Sequence, residues 1–301
     1  MRILFVTSNR IGDAVISTGI LDHLIHTYPA CRITIVCGPV AEGVFTRMPN
    51  RERTILFEKR PRDLHWLLLW QEVVRTRWDL VVDLRQSVLS YLVRTGRRAV
   101  KPRGAGGLRK FEQLAAVLGL PPAKAPLPTV WTHEADRAKA AGLLPQRPII
   151  GLGPTANWPP KAWPAERFAA LFHALHSGPV PGAIPAIFAG PGATERAMAA
   201  PLLALLPGAI DCCGILTLPE AAACLQRCAL YIGNDSGLMH LAAATGIPTV
   251  GLCSTTRDRA EEMAPAGPHA DWALGDGESM TGLTVQSAQA VAERLLAEAR
   301  P

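Results

Sequence analysis

The sequence predicts an α/β protein made of two doubly wound parallel sheets. Three observations carry that prediction. Short apolar runs alternate with stretches of helical period, the mark of parallel strands joined by crossover helices. The alternation occurs twice, on either side of a proline-punctuated segment over 121–148. Several apolar runs also end in Gly-rich or polar turns, where doubly wound sheets bind ligands.

In the first half, Ile3–Val6 reads as a strand and Ala14–Leu24 as a helix, with Val15, Ile16, Ile20, Leu21 and Leu24 on its apolar face. Ile33–Val36 and Leu80–Val82 are the next strands. Pro121, Pro122, Pro126, Pro128, Pro145 and Pro148 then break the pattern, around a short helix over Glu134–Leu144. Proline ends helices and stiffens connections, so 121–148 reads as a link between a domain 1–145 and a domain 146–301. Strands resume at Ile149–Leu152, Ala186–Ala189, Leu230–Gly233 and Pro248–Leu252. Between and after them, helices are expected over Ala165–His176, Thr194–Leu206, Pro219–Gln226, Gly237–Ala244 and Thr284–Ala299. Two such units facing one another would leave a ligand cleft between them.

The 301 residues are 49% hydrophobic and 19% charged, enough for two large cores. No run approaches the roughly 18–20 apolar residues of a spanning helix, and Met1–Val6 ends at Thr7 without a cleavage site, so a cytoplasmic protein is expected. The seven cysteines sit on apolar faces and lack zinc-ligand spacing, which reads as core thiols with no metal. Charge is unevenly shared. Residues 1–145 hold 22 Lys/Arg against 12 Asp/Glu, and residues 146–301 hold 9 against 13. A basic first half suits an anionic partner, such as a phosphorylated lipid or a membrane face, or simply a solvated surface. Aromatics are 6% and no nucleic-acid motif occurs, so nucleic acid is not expected. The run Trp66-Leu67-Leu68-Leu69-Trp70 is read as a buried helix face, with lipid contact as the alternative.

Three turns carry the chemistry. In Arg10-Ile11-Gly12-Asp13, Gly12 allows a close backbone approach, while Asp13 is either a helix cap or a catalytic carboxylate. After the first strand of the second half, Gly151, Gly153 and Thr155 can offer amides and a hydroxyl to phosphate, and Lys161 a mobile positive charge. In Gly233-Asn234-Asp235-Ser236-Gly237-Leu238-Met239-His240, a strand passes into a helix whose N-terminal amides suit an anion. Asp235 can accept from sugar hydroxyls, and His240 points back one turn toward the same end. The plainer reading has Asp235 or Ser236 capping the helix and His240 packed beneath the loop.

These residues resemble glycosyltransferase family 9, which contains the ADP-heptose:lipopolysaccharide heptosyltransferases. The resemblance rests on Arg10-Ile-Gly-Asp13-Ala-Val-Ile-Ser-Thr-Gly, on Lys161-Ala-Trp-Pro164, and on Gly233 through Pro248. It implies the GT-B fold, two Rossmann-like domains, and an inverting transfer that needs no metal or other cofactor. It implies that Asp13 is the general base and that Lys161 neutralises the leaving diphosphate. Thr155, Ser236 and Gly237 would line the phosphates, Gly12 would approach the donor, Asp235 would hold the donor sugar, Glu195 the ribose, and His240 would sit beside the diphosphate. The donor implied is a nucleotide-diphosphate sugar, ADP-heptose first. The acceptor is a phosphorylated glycolipid or glycan, met by the first domain through Arg60, Arg62, Arg97, Arg98 and Lys101, with peripheral contact at a membrane face. A nucleotide-sugar 2-epimerase or a non-catalytic binding protein of the same fold is the alternative. Two departures stand out. The family usually has proline where this chain has Gly19, and many relatives have Phe-Gly-Pro-Thr where it has Cys253-Ser254-Thr255-Thr256.

Overall fold

The computed structural model describes residues 1–58, 61, 64–102, 107–158, 161–275 and 280–299. The chain divides into two compact units, Met1–Trp131 and Thr132–Pro301. The division falls earlier than the 145/146 expected from the prolines. The helix Glu134–Leu143 packs on the helix Leu218–Leu225, so it belongs with the second unit. Lys139 fixes it there through an ion pair to Glu220 at 2.9 Å.

The first unit holds β1 (Arg2–Val6), β2 (Arg32–Cys37), β3 (Arg51–Leu56), β4 (Trp78–Asp83) and β5 (Thr95–Val100). They form a parallel sheet in the order β3-β2-β1-β4-β5. The second holds β6 (Ile149–Gly153), β7 (Ile184–Ile187), β8 (Ile210–Asp211), β9 (Leu230–Asn234), β10 (Thr249–Cys253) and β11 (Ala270–Leu274), ordered β11-β10-β9-β6-β7-β8 and again parallel. Each order is that of a Rossmann sheet. The first three strands step outward one way and the rest step outward the other. Winding reverses between β1 and β4 in one unit and between β6 and β9 in the other. Ligand crevices open at such reversals, beyond the carboxyl ends of the strands.

The expected helix over Ala14–Leu24 is two, Ile11–Ile16 and Thr18–Thr27, separated at Ser17. The Ser17 hydroxyl donates to the Ala14 carbonyl at 2.7 Å, and Thr18 Oγ1 accepts from the Thr129 backbone N–H at 2.9 Å. Gly19 lets this segment lie close, since a Cβ there would stand 2.5 Å from the Pro126 carbonyl oxygen. A proline would carry that Cβ, which accounts for the departure at Gly19.

The helix Leu64–Val73 corrects a second expectation. It buries His65, Leu69 and Val73 against the first unit's core, but Leu64, Leu67 and Leu68 face outward. Among the described residues, no helix is long and apolar enough to cross a membrane. All seven cysteines are free thiols in buried positions.

Candidate active site

In the first unit the site grows from the end of β1. Asp13 is the third residue of its helix; the cap position is Arg10, whose side chain makes no capping bond. The cap reading of Asp13 therefore fails. Its carboxylate instead accepts from the Ser8 hydroxyl at 3.1 Å. The loop before it is pinned from two sides. Asn9 lies so close to Gly38, after β2, that a Cβ on Gly38 would fall 2.6 Å from Asn9 Cβ. From the loop after β4, Arg85 donates to Asn9 Oδ1 at 2.8 Å. The Arg85 guanidinium lies 5.0 Å from the Phe57 ring centre and 5.8 Å from that of Trp66. Burial lowers its pKa, against the opposing pull of Asp83. The strand ends of β1, β2 and β4 thus converge on one loop, with a half-buried carboxylate at its edge.

The basic residues expected at the acceptor side do not form one group. Arg97 and Arg98 are consecutive in β5, so their side chains leave by opposite faces. Arg97 reaches the Tyr28 hydroxyl, and Arg98 donates to the Ser90 and Val93 carbonyls. Arg97 pairs with Leu80, which pairs with Ile3, well below the carboxyl end of the sheet. Lys101 follows β5 at the end where Asp13 emerges, its backbone N–H donating to Asp83. Arg60 and Arg62 lie outside the described residues.

In the second unit the loops after β6, β9 and β10 converge. Lys161 Nζ is 2.7 Å from Asp235 Oδ2, both side chains about a quarter exposed. Asn234, at the end of β9, is fully buried and joins the flanking loops. It donates to the Pro154 carbonyl at 2.7 Å and accepts from the Trp163 N–H at 3.1 Å. Sequence reasoning overlooked Asn234; its place between a strand and the Asp-Ser-Gly turn was the available signal. Ser236 occupies the cap position of the Gly237–Ala244 helix, yet neither it nor Asp235 caps through its side chain. The N–H groups of the first turn are left for another acceptor. Among the described residues, the Ser236 and Ser254 hydroxyls are buried and meet no hydrogen-bond partner. Buried polar groups are paired in most native structures, so these two hydroxyls are open to a further polar partner. His240 is buried one turn along that helix. Burial pushes the Cys253 thiol up to about 12, with Asp235 adding to the shift and Lys161 opposing it.

Gly151 and Gly153 are not loop residues. Both lie within β6: Gly151 is paired on either side by β7 and β9, and Gly153, at the strand's end, is paired with Gly233 of β9. Their missing side chains admit Tyr231, for a Cβ on Gly153 would stand 1.9 Å from the Tyr231 hydroxyl. Thr155, in the loop that follows, is buried. Glu195, in the first turn of the Ala193–Leu205 helix after β7, accepts from the Gly190 N–H at 3.4 Å.

Comparison with known proteins gives a consistent result. The family model for glycosyltransferase family 9 (heptosyltransferase) matches residues 97–281. Lipooligosaccharide heptosyltransferase 2 of Haemophilus influenzae is 25% identical over 300 residues, covering 85% of this chain and 84% of that protein. Among solved structures, the family 9 glycosyl transferase of Veillonella parvula superposes with a TM-score of 0.81 at 22% identity, over 99% of this chain and 98% of the other. The ADP-heptose lps heptosyltransferase II of E. coli gives 0.76 at 21% identity, over 99% of each chain. The fold is accordingly that of the GT-B heptosyltransferase structures.

Proposed function

The chain belongs to glycosyltransferase family 9, the heptosyltransferase family, and from that premise we propose that it moves a heptose from ADP-heptose to a hydroxyl of a lipopolysaccharide core or related surface glycan. The observation that carries this reading is the second unit's strand-end cluster. It combines the Lys161–Asp235 pair, the uncapped helix at Gly237 and two unpartnered buried hydroxyls. A nucleotide diphosphate departs as an anion, so a fixed ammonium and aligned amides stabilise it most as its bond to the sugar breaks. Asp235 holds Lys161 at the strand end where a diphosphate oxygen would meet it, and its other oxygen remains for a sugar hydroxyl. Thr155, Ser236 and Gly237 suit the phosphates, and Glu195 the ribose.

The first unit supplies the base in this reading. Asp13 takes the acceptor hydroxyl proton, and the oxygen attacks the anomeric carbon opposite the diphosphate. ADP leaves with the bonding electrons, and the configuration inverts. An aspartate serves if it is within hydrogen-bond reach of the hydroxyl. Lysine and helix amides supply the charge stabilisation that a metal would otherwise give. The acceptor belongs to the basic first unit, and an acceptor carried on a lipid would bring the protein to a membrane face.

Thermal shift with ADP, ADP-heptose, UDP-GlcNAc and GDP-mannose in excess EDTA tests the donor. Selective stabilisation by ADP and ADP-heptose is expected. Preference for another nucleotide sugar would retain a transferase and discard heptose. Epimerisation of UDP-GlcNAc would favour the isomerase reading, and no shift with any ligand would remove the proposed donor site.

A further inference from the structure

The strand-end loop that leads to Asp13 contains a hydroxyl placed to act on it. Ser8 Oγ donates to Asp13 Oδ2 at 3.1 Å and accepts from the Arg10 backbone N–H at 3.1 Å. The second bond spans two residues, so it is a local turn closed by the serine side chain. It takes up a lone pair of the hydroxyl and leaves the proton for the carboxylate. Among the described residues, Asp13 Oδ1 meets no hydrogen-bond donor. The carboxylate is thus held at one oxygen and open at the other.

Both ends of the Ser8–Asp13 bond are fixed. Ser8 lies between two anchored neighbours. Thr7 is buried, and its backbone N–H donates to the Val36 carbonyl at 2.9 Å, tying the end of β1 to β2. Asn9 abuts Gly38 and accepts from Arg85 at 2.8 Å. Arg85 is set in turn by Asp83, a fully buried carboxylate that accepts from the Arg85 and Ser87 backbone N–H groups, each at 2.8 Å. On the other side, the helix bearing Asp13 closes at Ser17, whose hydroxyl accepts from Thr7 Oγ1 at 3.1 Å and donates to the Ala14 carbonyl. Loop and helix therefore meet at Thr7–Ser17, and Ser8–Asp13 joins them a second time. A carboxylate without such a partner turns among several rotamers, whereas one held from a fixed frame keeps presenting the same oxygen.

We propose that Ser8 is a positioning residue for the transfer step. Its hydroxyl holds Asp13 Oδ2, so that Oδ1 is the oxygen that takes the proton of the acceptor hydroxyl. The acceptor O–H bond breaks, its proton passes to Oδ1, and Ser8 keeps its own proton throughout. A base misplaced by a fraction of an ångström loses much of its rate advantage, which is why one hydrogen bond to it matters. The inference rests on the reading of Asp13 as the base of a glycosyl transfer and deepens it. A serine that merely braced the loop through Arg10 would act instead on stability or on acceptor binding.

The test measures ADP release from ADP-heptose by the full-length protein, with deacylated lipopolysaccharide cores cut back before and after their first heptose as acceptors. Ser8→Ala, Ser8→Thr, Asp13→Ala and the Ser8→Ala/Asp13→Ala pair are compared with wild type. Ser8→Ala is expected to lower kcat about tenfold, with KM for acceptor and donor nearly unchanged, and Ser8→Thr to recover most of the loss. In single turnovers at high enzyme concentration, the pair should be no slower than Asp13→Ala alone, because the hydroxyl acts through that carboxylate. Every variant should keep the wild-type melting temperature and its stabilisation by ADP. Wild-type turnover in Ser8→Ala, a loss that Ser8→Thr does not recover, or a further loss in the pair would each overturn the proposal. So would a loss seen only as a raised acceptor KM or a lowered melting temperature, the marks of a plain loop brace. A wild type that releases no ADP with either core would overturn the transferase reading itself, and the inference with it.

Discussion

At Tyr231 the chain accepts an energetic cost. Its hydroxyl is fully buried and, among the described residues, unpartnered, and burial drives its pKa well above the usual value. Removing an unsatisfied buried hydroxyl while keeping the ring is neutral or stabilising. Tyr231→Phe should therefore raise stability by up to about 1 kcal/mol in urea unfolding, and a clear loss would reveal a partner for the hydroxyl. Gly153→Ala should cost about 1–3 kcal/mol through overpacking. Adding Tyr231→Phe should recover part of that cost, because the nearest clash is with the hydroxyl oxygen. Ser254 makes a complementary case. Its buried hydroxyl meets no partner among the described residues, so Ser254→Gly should weaken ADP or ADP-heptose binding measured by calorimetry while leaving the melting temperature of the free protein nearly unchanged. Asp13→Ala should lower transfer by about 10²–10⁴-fold with donor affinity retained. Normal turnover in that variant would remove Asp13 as the base. Asp13 could be nominated as the base only through the family resemblance, Lys161 and Asp235 also from their strand-end turns, and the structure brings those two together. Asn234 and Arg85 were not legible, since a residue that holds another in place carries no chemical signature of its own.

Among the elements, the strands that sequence pattern reveals are the seven interior ones: β1, β2 and β4 in one sheet, and β6, β7, β9 and β10 in the other. Each is covered on both faces and reads as an apolar run. The four edge strands escape that reading. β3 is Arg-Glu-Arg-Thr-Ile-Leu, β5 contains Arg97 and Arg98, β8 has two residues, and β11 begins Ala-Asp-Trp. Short or charged edges discourage pairing with another chain, and the same features hide them from hydrophobic patterning. The Glu134–Leu143 helix was legible as a helix but not as part of the second unit, because the ion pair to Glu220 is a tertiary contact. Burial opposes the charge on Glu220, but the Thr217 backbone N–H and Lys139 outweigh it and lower its pKa from 4.5. The stabilisation is complete above the unfolded pKa and is lost as pH falls through the lowered folded value. Glu220→Gln should cost about 1 kcal/mol at neutral pH, and the gap from wild type should begin to narrow below the ordinary value of 4.5 and close as pH falls through the lowered one. Denaturant titrations at several pH values would show this; a gap independent of pH would mean that the charge contributes nothing.

For the whole molecule, one winding pattern appears twice and serves two kinds of surface. Residues 1–145 carry the positive excess and 146–301 the negative one. The acidic second half nevertheless presents its lysine at a strand end, so local placement rather than net charge suits it to a diphosphate. Hydrogen exchange with and without ADP should show protection concentrated after β6, β9 and β10, within about 153–163, 233–241 and 253–256. Protection confined to the first unit would be incompatible with the donor site proposed here.

The buried thiols have a practical consequence for following these events. Burial lifts Cys37, Cys212, Cys213 and Cys253 to about 12 and Cys224 to about 11, and Cys228 also titrates well above the usual range. An exposed cysteine titrates near 8.5, so its thiolate is about a thousand times more abundant at neutral pH than one held near 12. A reporter cysteine engineered at Leu67 would therefore take a maleimide dye far faster than those native thiols. With Cys31, the one native thiol outside that group, replaced as well, environment-sensitive fluorescence could then be read from one chosen position.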